Sequence, residues 1–369
     1  MSYKKNSCDF NIIVLVSLLL SIGVVMVFSS SAAVAFFKYH DPYYFLKRQL
    51  LWAILGFGAM VYMMNFDYWK LKKYAKLLFI LSLVLLVLVL VPGIGMVVNG
   101  ARRWIGVGFL NIQPSEFAKL ATVIYLSNRL SDKKEKIQSF FRGLLPNLII
   151  LGIVFLLIIM EPNLSIAGII IIVGLIMLFI AGARWSHMIT LGIIGLLLAA
   201  IAVIIEPYRL ERVLTFLDPW KDMQGSGYQV IQSLYALGSG GIFGVGLGNS
   251  RQKLFYIPEP QNDFIFSIIG EELGFIGAAA IIFIFLALIL RGFRIAAKSP
   301  DTFACLLASG ITSIIAVQSF INIAVVTSSM PPTGVPLPFI SAGGSSMLFT
   351  MAGVGILLNI SRYIGYNRG

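Results

Sequence analysis

The stretch LLPNLIILGIVFLLIIMEPNLSIAGIIIIVGLIMLFIA, residues 144–181, decides the fold. It contains most of two apolar runs, 143–160 and 164–181, which are separated only by the tripeptide EPN. A helix needs roughly 20 predominantly apolar residues to cross a bilayer, and each run approaches that length. The stretch therefore predicts two membrane helices that are joined by a very tight hairpin.

The rest of the 369-residue chain repeats this pattern. The chain is 58% hydrophobic and only 12% charged, whereas soluble globular proteins carry about 25% charged residues. No polar tract is long enough for a separate soluble domain, so we expect residues 1–369 to form one membrane domain. The composition predicts an all-α polytopic membrane protein with about ten transmembrane helices. Its apolar segments are 10–30, 47–65, 74–92, 114–130, 143–160, 164–181, 187–205, 263–290, 302–327 and 344–361.

The N-terminal apolar segment and the distribution of basic residues predict the orientation. The segment is longer than the 7 to 15 apolar residues of a secretory signal, so we interpret it as an uncleaved helix. An internal N-terminus places 17 of the 28 Lys and Arg residues inside, as the positive-inside rule requires. Both termini are then cytoplasmic, and one large extracellular loop, about 206–262, lies between helices 7 and 8. Two shorter external loops, 93–113 and 328–343, complete the face that we expect to carry function.

The net charge and the few cysteines and histidines bear on two kinds of site, a nucleic-acid site and a dedicated metal site. The net charge of +12 reflects the basic residues that flank membrane helices, so nucleic-acid binding is excluded. Two cysteines form no disulfide framework and no metal-binding spacing. The two histidines lie on different loops. The sequence therefore offers no dedicated metal site.

The stretch PEPQNDFIFSIIGEELG, residues 258–274, places carboxylates at the mouth of an apolar segment and inside it. Asp263 has two interpretations. It either caps the helix N-terminus, or it is a general base at the membrane boundary, where burial raises its pKa. Glu271 and Glu272 lie roughly 12 Å further along the helix axis. We expect these two to make buried polar contacts between helices.

Two external stretches carry further charged candidates. NIQPSEFAKL places Glu116 three residues before Lys119, a spacing that allows an ion pair. Alternatively, Lys119 binds an anion or adjusts a nearby carboxylate. NGARRWIGVG contains Arg102, Arg103 and Trp104. They form either an interfacial anchor or a bidentate phosphate site.

The large loop contributes polar side chains from GSGYQVIQSLYALGSGGIFGVGLGNSRQKLFYIPEP. This stretch is rich in glycine but lacks the GK[ST] of a P-loop. Its YQVIQSLYAL segment is typical of a short amphipathic helix. Polar side chains here suit a substrate with phosphate groups and sugar hydroxyls. The candidates are Gln229, Gln232, Ser233, Arg251 and Lys253.

The last external loop, PPTGVPLPFISAGGSS, is stiffened by four prolines. Its small residues have two interpretations. They either let helices pack closely or line one wall of a substrate cavity. The candidates are Ser341, Gly343 and Gly344.

Four ordered blocks resemble the SEDS family of shape, elongation, division and sporulation proteins. They are GARRWI, IQPSEFAKL, GSGYQVIQSLYALGSGGIFGVGLGNSRQKLFYIPEPQNDFIFSIIGEELGFIG and TGVPLPFISAGGSS. The likeness covers nearly the whole chain and is greatest to the FtsW and SpoVE branch, above all to its sporulation member. It implies ten transmembrane helices and a peptidoglycan glycosyltransferase. Such an enzyme polymerises lipid II into β-1,4-linked glycan at the outer face of the cytoplasmic membrane, for the division septum or the spore cortex.

The resemblance also implies partners and site residues. The partners are a class B penicillin-binding protein and the divisome or sporulation proteins. The essential aspartate of the family falls on Asp263, and its fourth-helix pair falls on Glu116 and Lys119. Its other motif positions fall on Arg102, Arg103, Ser341, Gly343 and Gly344. The chain departs from the family at Asn163, Ser165 and Ala342, where Asp, Gly and Tyr are frequent.

These residues suggest one mechanism, and two alternatives stay open. Asp263 would deprotonate the 4-hydroxyl of the incoming lipid II, which attacks the anomeric carbon of the nascent glycan strand. Cations among Arg102, Arg103, Lys119 and Arg251 would stabilise the leaving pyrophosphate. No cofactor is certain, and a divalent cation (Mg²⁺ or Mn²⁺) is the one candidate. The alternatives are a lipid II flippase, in which membrane carboxylates relay protons, and a non-catalytic scaffold for the transpeptidase.

Overall fold

The protein is described here by a computed structural model. It describes residues 7–98, 100–107, 110–132, 137–205, 207–223, 225 and 227–364. Twelve α-helices lie in this part of the chain, and each of the ten predicted apolar segments coincides with one of them. The helices are α1 (Phe10–Tyr39), α2 (Tyr44–Asn65), α3 (Tyr68–Leu90), α4 (Pro114–Ser131), α5 (Leu145–Met160), α6 (Leu164–Ile180), α7 (Trp185–Ile205), α8 (Pro207–Leu217), α9 (Tyr228–Gly240), α10 (Ile265–Ala297), α11 (Thr302–Val326) and α12 (Ser345–Ser361).

The helices identify a multi-pass membrane protein. By length and composition, six of the described helices can cross a membrane: α1, α3, α5 with the turn before it, α7, α10 and α11. Helices α6 and α12 are apolar but shorter. In α11, 78% of the most apolar window is buried, whereas none of the corresponding window of α7 is buried. Helix α11 is therefore central, and α7 lies at the periphery.

The α5–α6 hairpin is as tight as the sequence predicts. Helix α5 ends at Met160 and α6 begins at Leu164. The side chain of Asn163 accepts a hydrogen bond from the amide of Ile166 at 3.4 Å. Asn163 therefore caps α6, because its amide oxygen satisfies one of the free N–H groups of the first turn.

The segment 93–113, predicted only as an external loop, contains a small sheet. Its antiparallel strands are β1 (Gly95–Val98), β2 (Ala101–Val107) and β3 (Leu110–Ile112), in the order β1-β2-β3. A turn at Gly100, whose φ is 77°, joins the first two strands. Successive side chains of a strand point to opposite faces. The neighbours Arg102 and Arg103 of β2 therefore point in different directions.

The large loop is more structured than the sequence predicts. The amphipathic helix predicted at YQVIQSLYAL is confirmed as α9. Helix α8 was not predicted, since its sequence is too polar to stand out as an apolar run. It carries leucines on one exposed side, and Leu214 and Leu217 are 56% and 70% exposed.

Helix α10 is interrupted at Gly274, although the sequence predicts one continuous helix there. Gly274 has φ 68° and ψ −169°, a conformation that side chains rarely permit. A Cβ at this position would lie 2.2 Å from the amide nitrogen of Gly244. The glycine-rich loop replaces the lost helical bonds, because Val245 donates to the carbonyl of Glu271 at 3.0 Å and Phe275 donates to that of Gly241 at 2.9 Å. Irregular backbone is thus satisfied inside an apolar helix.

Candidate active site

Asp263 lies where two open clefts meet. The main cleft contains about 640 Å³ of empty space, and the side cleft contains about 570 Å³. Asn262 and Asp263 line both. The remaining residues of the main cleft are Arg103, Trp104, Gln113, Glu116, Asn163, Ile166, Gly334, Pro336, Ala342, Gly343 and Ser346. Those of the side cleft are Gln229, Pro258, Glu259 and Phe264.

The backbone of Asp263 is fixed, whereas its carboxylate is left available. Helix α10 begins at Ile265, and its N-cap residue is Phe264, so the capping interpretation of Asp263 is wrong. The side-chain amide of Asn322 on α11 donates to the carbonyl of Asp263 at 2.7 Å and to that of Val335 at 2.8 Å. It ties Asp263 to the last external loop. Among the described residues, the Asp263 carboxylate has no hydrogen-bond partner.

The surroundings of Asp263 favour its protonated form. The pKa of Asp263 is raised to about 6, mainly because the group is buried and also because the negative charge of Glu259 is nearby. The positive charge of Arg212 on α8 acts in the opposite direction. Arg212 also donates to the carbonyl of Pro332 at 3.0 Å. Sequence reasoning missed Arg212, since the only local signal was a charge pair in an unassigned part of the large loop.

The two arginines of β2 do different things. Arg103 lines the main cleft, and its guanidinium donates to the carbonyls of Glu161, at 2.9 Å, and of Pro162. Arg102 points away and donates to the carbonyl of Leu90 at 3.1 Å. Burial raises the pKa of the neighbouring Glu161 to about 8, although Arg103 opposes this shift. The structure thus brings one of the two predicted arginines into the main cleft, which Asp263 also lines.

The predicted pair on α4 is confirmed as an ion pair. Lys119 Nζ lies 2.9 Å from Glu116 Oε2, and the two side chains are 4% and 2% exposed. Lys119 also donates to Gln318 at 2.9 Å, and Gln318 donates to the carbonyl of Pro336 at 3.0 Å. Glu116 reaches the main cleft, whereas Lys119 lies behind it. The pair therefore supports the wall that Pro336 forms.

Gln318 and Asn322 were missed by sequence reasoning. They are four residues apart on α11, so they share one face of that helix. Two amides within an apolar run were the available signal. Their carbonyl partners are Val335 and Pro336 in the loop 328–343 and, for Asn322, also Asp263 before α10, and the local sequence does not reveal these contacts.

The candidates on α9 are divided. Gln229 lines the side cleft beside Asp263. Ser233 is fully buried and donates to the carbonyl of Val326 at 2.8 Å. Gln232 is part-buried and lines neither described cleft. The helix therefore contributes one side chain to the site.

The basic candidates of the large loop are not brought to Asp263. Lys253 is 2.7 Å from Glu272 and 3.2 Å from the hydroxyl of Ser29 on α1. The amide of Arg251 donates to Glu271 at 2.9 Å, and its side chain lines neither cleft. Glu271 and Glu272 thus anchor the loop to the buried part of α10 and to α1. Both glutamates make buried polar contacts, but only Glu272 makes the expected contact between helices, with Ser29 of α1, whereas Glu271 contacts the loop at Ser250 and Arg251.

The last loop forms one wall of the main cleft. Gly343 and Ala342 line it. Ser341 is buried and accepts from the amide of Leu337 at 2.8 Å, so it stabilises a turn. Gly344 stands at the start of α12 with φ 41°, and a Cβ there would lie 3.3 Å from the indole nitrogen of Trp52. Of the three predicted residues, only Gly343 lines the cleft.

This arrangement suits acid–base chemistry between two bound groups. A carboxylate whose pKa is near neutrality accepts a proton efficiently from a hydroxyl. Arg103 supplies positive charge to the main cleft, where an anionic leaving group would be stabilised. Across the described residues, no three His, Cys, Asp or Glu side chains cluster as metal ligands.

Comparison with known proteins identifies relatives over the full length. The FtsW, RodA and SpoVE family model, described as cell cycle protein, matches residues 9–366. Stage V sporulation protein E of Bacillus subtilis is 50% identical over 366 residues, which cover 99% of this chain and 100% of that protein. Probable peptidoglycan glycosyltransferase FtsW of Geobacter sulfurreducens is 44% identical over 353 residues, which cover 96% of this chain and 95% of that protein.

Two solved structures share the fold. A chain of a peptidoglycan synthase complex, studied for the coordination of polymerization and crosslinking, matches with a TM-score of 0.80 at 30% identity. The match covers 98% of this chain and 99% of that one. Rod shape determining protein RodA of Thermus thermophilus matches with a TM-score of 0.73 at 27% identity, over 98% of each chain.

Proposed function

The chain belongs to the FtsW, RodA and SpoVE family of cell cycle proteins, and we propose that it is a peptidoglycan glycosyltransferase that polymerises lipid II. The name of the FtsW relative supports this activity. The observation that carries the proposal is the Asp263 carboxylate, which lies at the junction of two clefts without a hydrogen-bond partner among the described residues. Its raised pKa suits a general base.

Each cleft receives one substrate in this proposal. The side cleft binds the incoming lipid II sugar, and its 4-hydroxyl points at Asp263. The main cleft binds the end of the nascent glycan strand, so that its pyrophosphate approaches Arg103. The assignment rests on charge, because Arg103 is the arginine that lines the main cleft and guanidinium groups match phosphate oxygens.

The reaction then proceeds by one displacement. Asp263 takes the proton of the 4-hydroxyl while the oxygen attacks the anomeric carbon of the nascent strand. The bond from that carbon to the lipid pyrophosphate breaks, and the electron pair leaves with the pyrophosphate beside Arg103. Inversion converts the α-linked pyrophosphate into a β-1,4 linkage. Asp263 afterwards releases its proton through the open clefts.

The membrane arrangement follows from the distribution of charge. Ten spans, with both termini in the cytoplasm, place the clefts at the outer face of the cytoplasmic membrane. The large loop about 206–262, with α8 and α9, is then extracellular. We propose that a class B penicillin-binding protein works beside it, since a structural neighbour belongs to a peptidoglycan synthase complex. Divisome or sporulation proteins are its further partners.

A divalent cation, Mg²⁺ or Mn²⁺, fits the site only together with substrate. Asp263 and Glu116 are the carboxylates that line the main cleft among the described residues, and no cluster of three such ligands accompanies them. The pyrophosphate oxygens would therefore supply most of the ligands. When bound, the ion neutralises the charge of the leaving group.

The proposal is tested with the purified protein, its transpeptidase partner and lipid II. We expect glycan strands, which gel electrophoresis detects in the untreated product and which disappear when the product is digested with a muramidase. Movement of lipid II across liposomes without polymer would instead identify a flippase. The absence of both activities, with intact partner binding, would identify a scaffold.

A further inference from the structure

A further cavity, distinct from the main cleft and the side cleft, lies at the opposite end of α10 from Asp263. The helix ends at Ala297, and its uninterrupted part after Gly274, residues 275–297, spans about 35 Å at 1.5 Å per residue. Its far end, the start of α1 and the end of α12 surround an open cavity with about 950 Å³ of empty space. The positive-inside rule places this end in the cytoplasm. The cavity is therefore separate from both clefts of the candidate active site.

Three cations converge on this cavity from one helix. Arg291, Arg294 and Lys298 all line it, and their spacing of three and four residues places them on one side of α10. Arg291 lies 3.8 Å from Asp9, which is too long for a strong hydrogen bond. Asp9 also accepts from the amide of Asn11 at 3.1 Å. In the described part of the chain, Arg294 and Lys298 form no ion pair.

The cavity also has an apolar wall. Phe10 is 71% exposed, and it lines the cavity together with Ile295 and Ile364. Three positive charges face one carboxylate, so the cavity has an excess of positive charge beside exposed apolar surface. Such a combination matches an amphipathic anion better than a small soluble ion.

We propose that this cavity binds the headgroup of an anionic glycerophospholipid of the inner leaflet. Its phosphate lies among the three cations of α10, and its acyl chains extend past Phe10 into the bilayer. Basic residues at internal helix ends ordinarily only set topology. Here they line one open cavity, whereas Lys73 and Lys76 at the internal end of α3, which are exposed as Arg294 and Lys298 are, line none of the described cavities. Those two lysines provide the matched control.

The test uses the full-length protein in neutral detergent with phosphatidylglycerol or phosphatidylcholine, and native mass spectrometry counts the retained lipids. We expect wild type to retain phosphatidylglycerol preferentially. The Arg294→Gln, Lys298→Gln double variant should bind it about 30-fold more weakly, since each cation contributes about 1 kcal/mol. The Lys73→Gln, Lys76→Gln variant should bind like wild type, although it loses the same charge.

Two further measurements separate an effect of charge from an effect on folding, and they separate binding of a lipid from binding of a soluble anion. The charge-preserving Arg294→Lys, Lys298→Arg variant should retain phosphatidylglycerol, whereas loss of binding there would contradict a charge-based site. Millimolar glycerol phosphate should leave the lipid bound, and its displacement would show that the cavity takes a soluble anion. Equal losses in the two neutralised variants, or equal retention of phosphatidylcholine, would also overturn the proposal. None of these outcomes bears on the glycosyltransferase activity.

Discussion

The pH dependence of polymerisation gives the most detailed prediction about Asp263. Because burial raises its pKa from 3.8 to about 6, half of the base is protonated near pH 6. At pH 5 only about one tenth remains deprotonated, whereas an ordinary aspartate would remain mostly ionised. We therefore expect kcat/KM for lipid II to fall about tenfold per pH unit below pH 6.

Two substitutions should move this acid limb in opposite directions. Glu259→Gln removes a negative charge beside Asp263, so it should lower the pKa and shift the limb to lower pH. Arg212→Gln removes a positive charge, so it should raise the pKa and shift the limb to higher pH. Glutamine retains hydrogen-bonding capacity at both positions. The shifts therefore report charge more than local structure.

The assay measures initial rates of glycan formation from pH 4.5 to pH 8 with the partner present. Asp41→Asn is the control, because Asp41 is a part-buried carboxylate paired with the exposed Lys47 and lines neither cleft. It should leave the limb unchanged. A wild-type rate that stays constant down to pH 4.5, or shifts of the same sign in the two variants, would refute the assignment of Asp263 as the base.

Three substitutions should change the stability of the fold. Asp263→Asn should raise the melting temperature at pH 7.5, because a carboxylate with a raised pKa costs stability when it is ionised. The gain should vanish as the pH falls through 6 toward 3.8. A gain that does not change with pH would contradict this reasoning. Glu272→Gln should destabilise by about 3–5 kcal/mol because it leaves Lys253 buried without its partner, and adding Lys253→Met should restore part of the melting temperature. Gly274→Ala should abolish folding, measured by monodisperse yield in detergent, whereas Gly58→Ala, with open space around it, should not.

Local sequence was sufficient to locate the membrane helices. Long apolar runs such as 164–181 form helices that satisfy their own backbone hydrogen bonds, so their structure depends little on distant residues. The same holds for Pro114 at the first turn of α4 and for the Glu116–Lys119 pair. These features depend on spacing within one helix, which the sequence displays directly.

Features that depend on distant segments were not accessible in this way. The interruption at Gly274 is stabilised by the loop around Gly244, thirty residues earlier in the chain. The position of Asp263 depends on Asn322 of α11, which binds its carbonyl. Lys253 was expected near substrate, but the nearby carboxylate of Glu272 holds it in the buried core. Only the folded chain shows which charges meet.

The claim that Asp263 is the general base is tested by a single-turnover comparison of wild type with Asp263→Ala. Wild type or Asp263→Ala, each with the partner and in excess over lipid II, is mixed with lipid II, and both bound lipid II and newly formed β-1,4 linkages are measured. We expect Asp263→Ala to bind lipid II like wild type but to form linkages about 10²–10⁴-fold more slowly. Linkage formation at the wild-type rate by Asp263→Ala would contradict the claim.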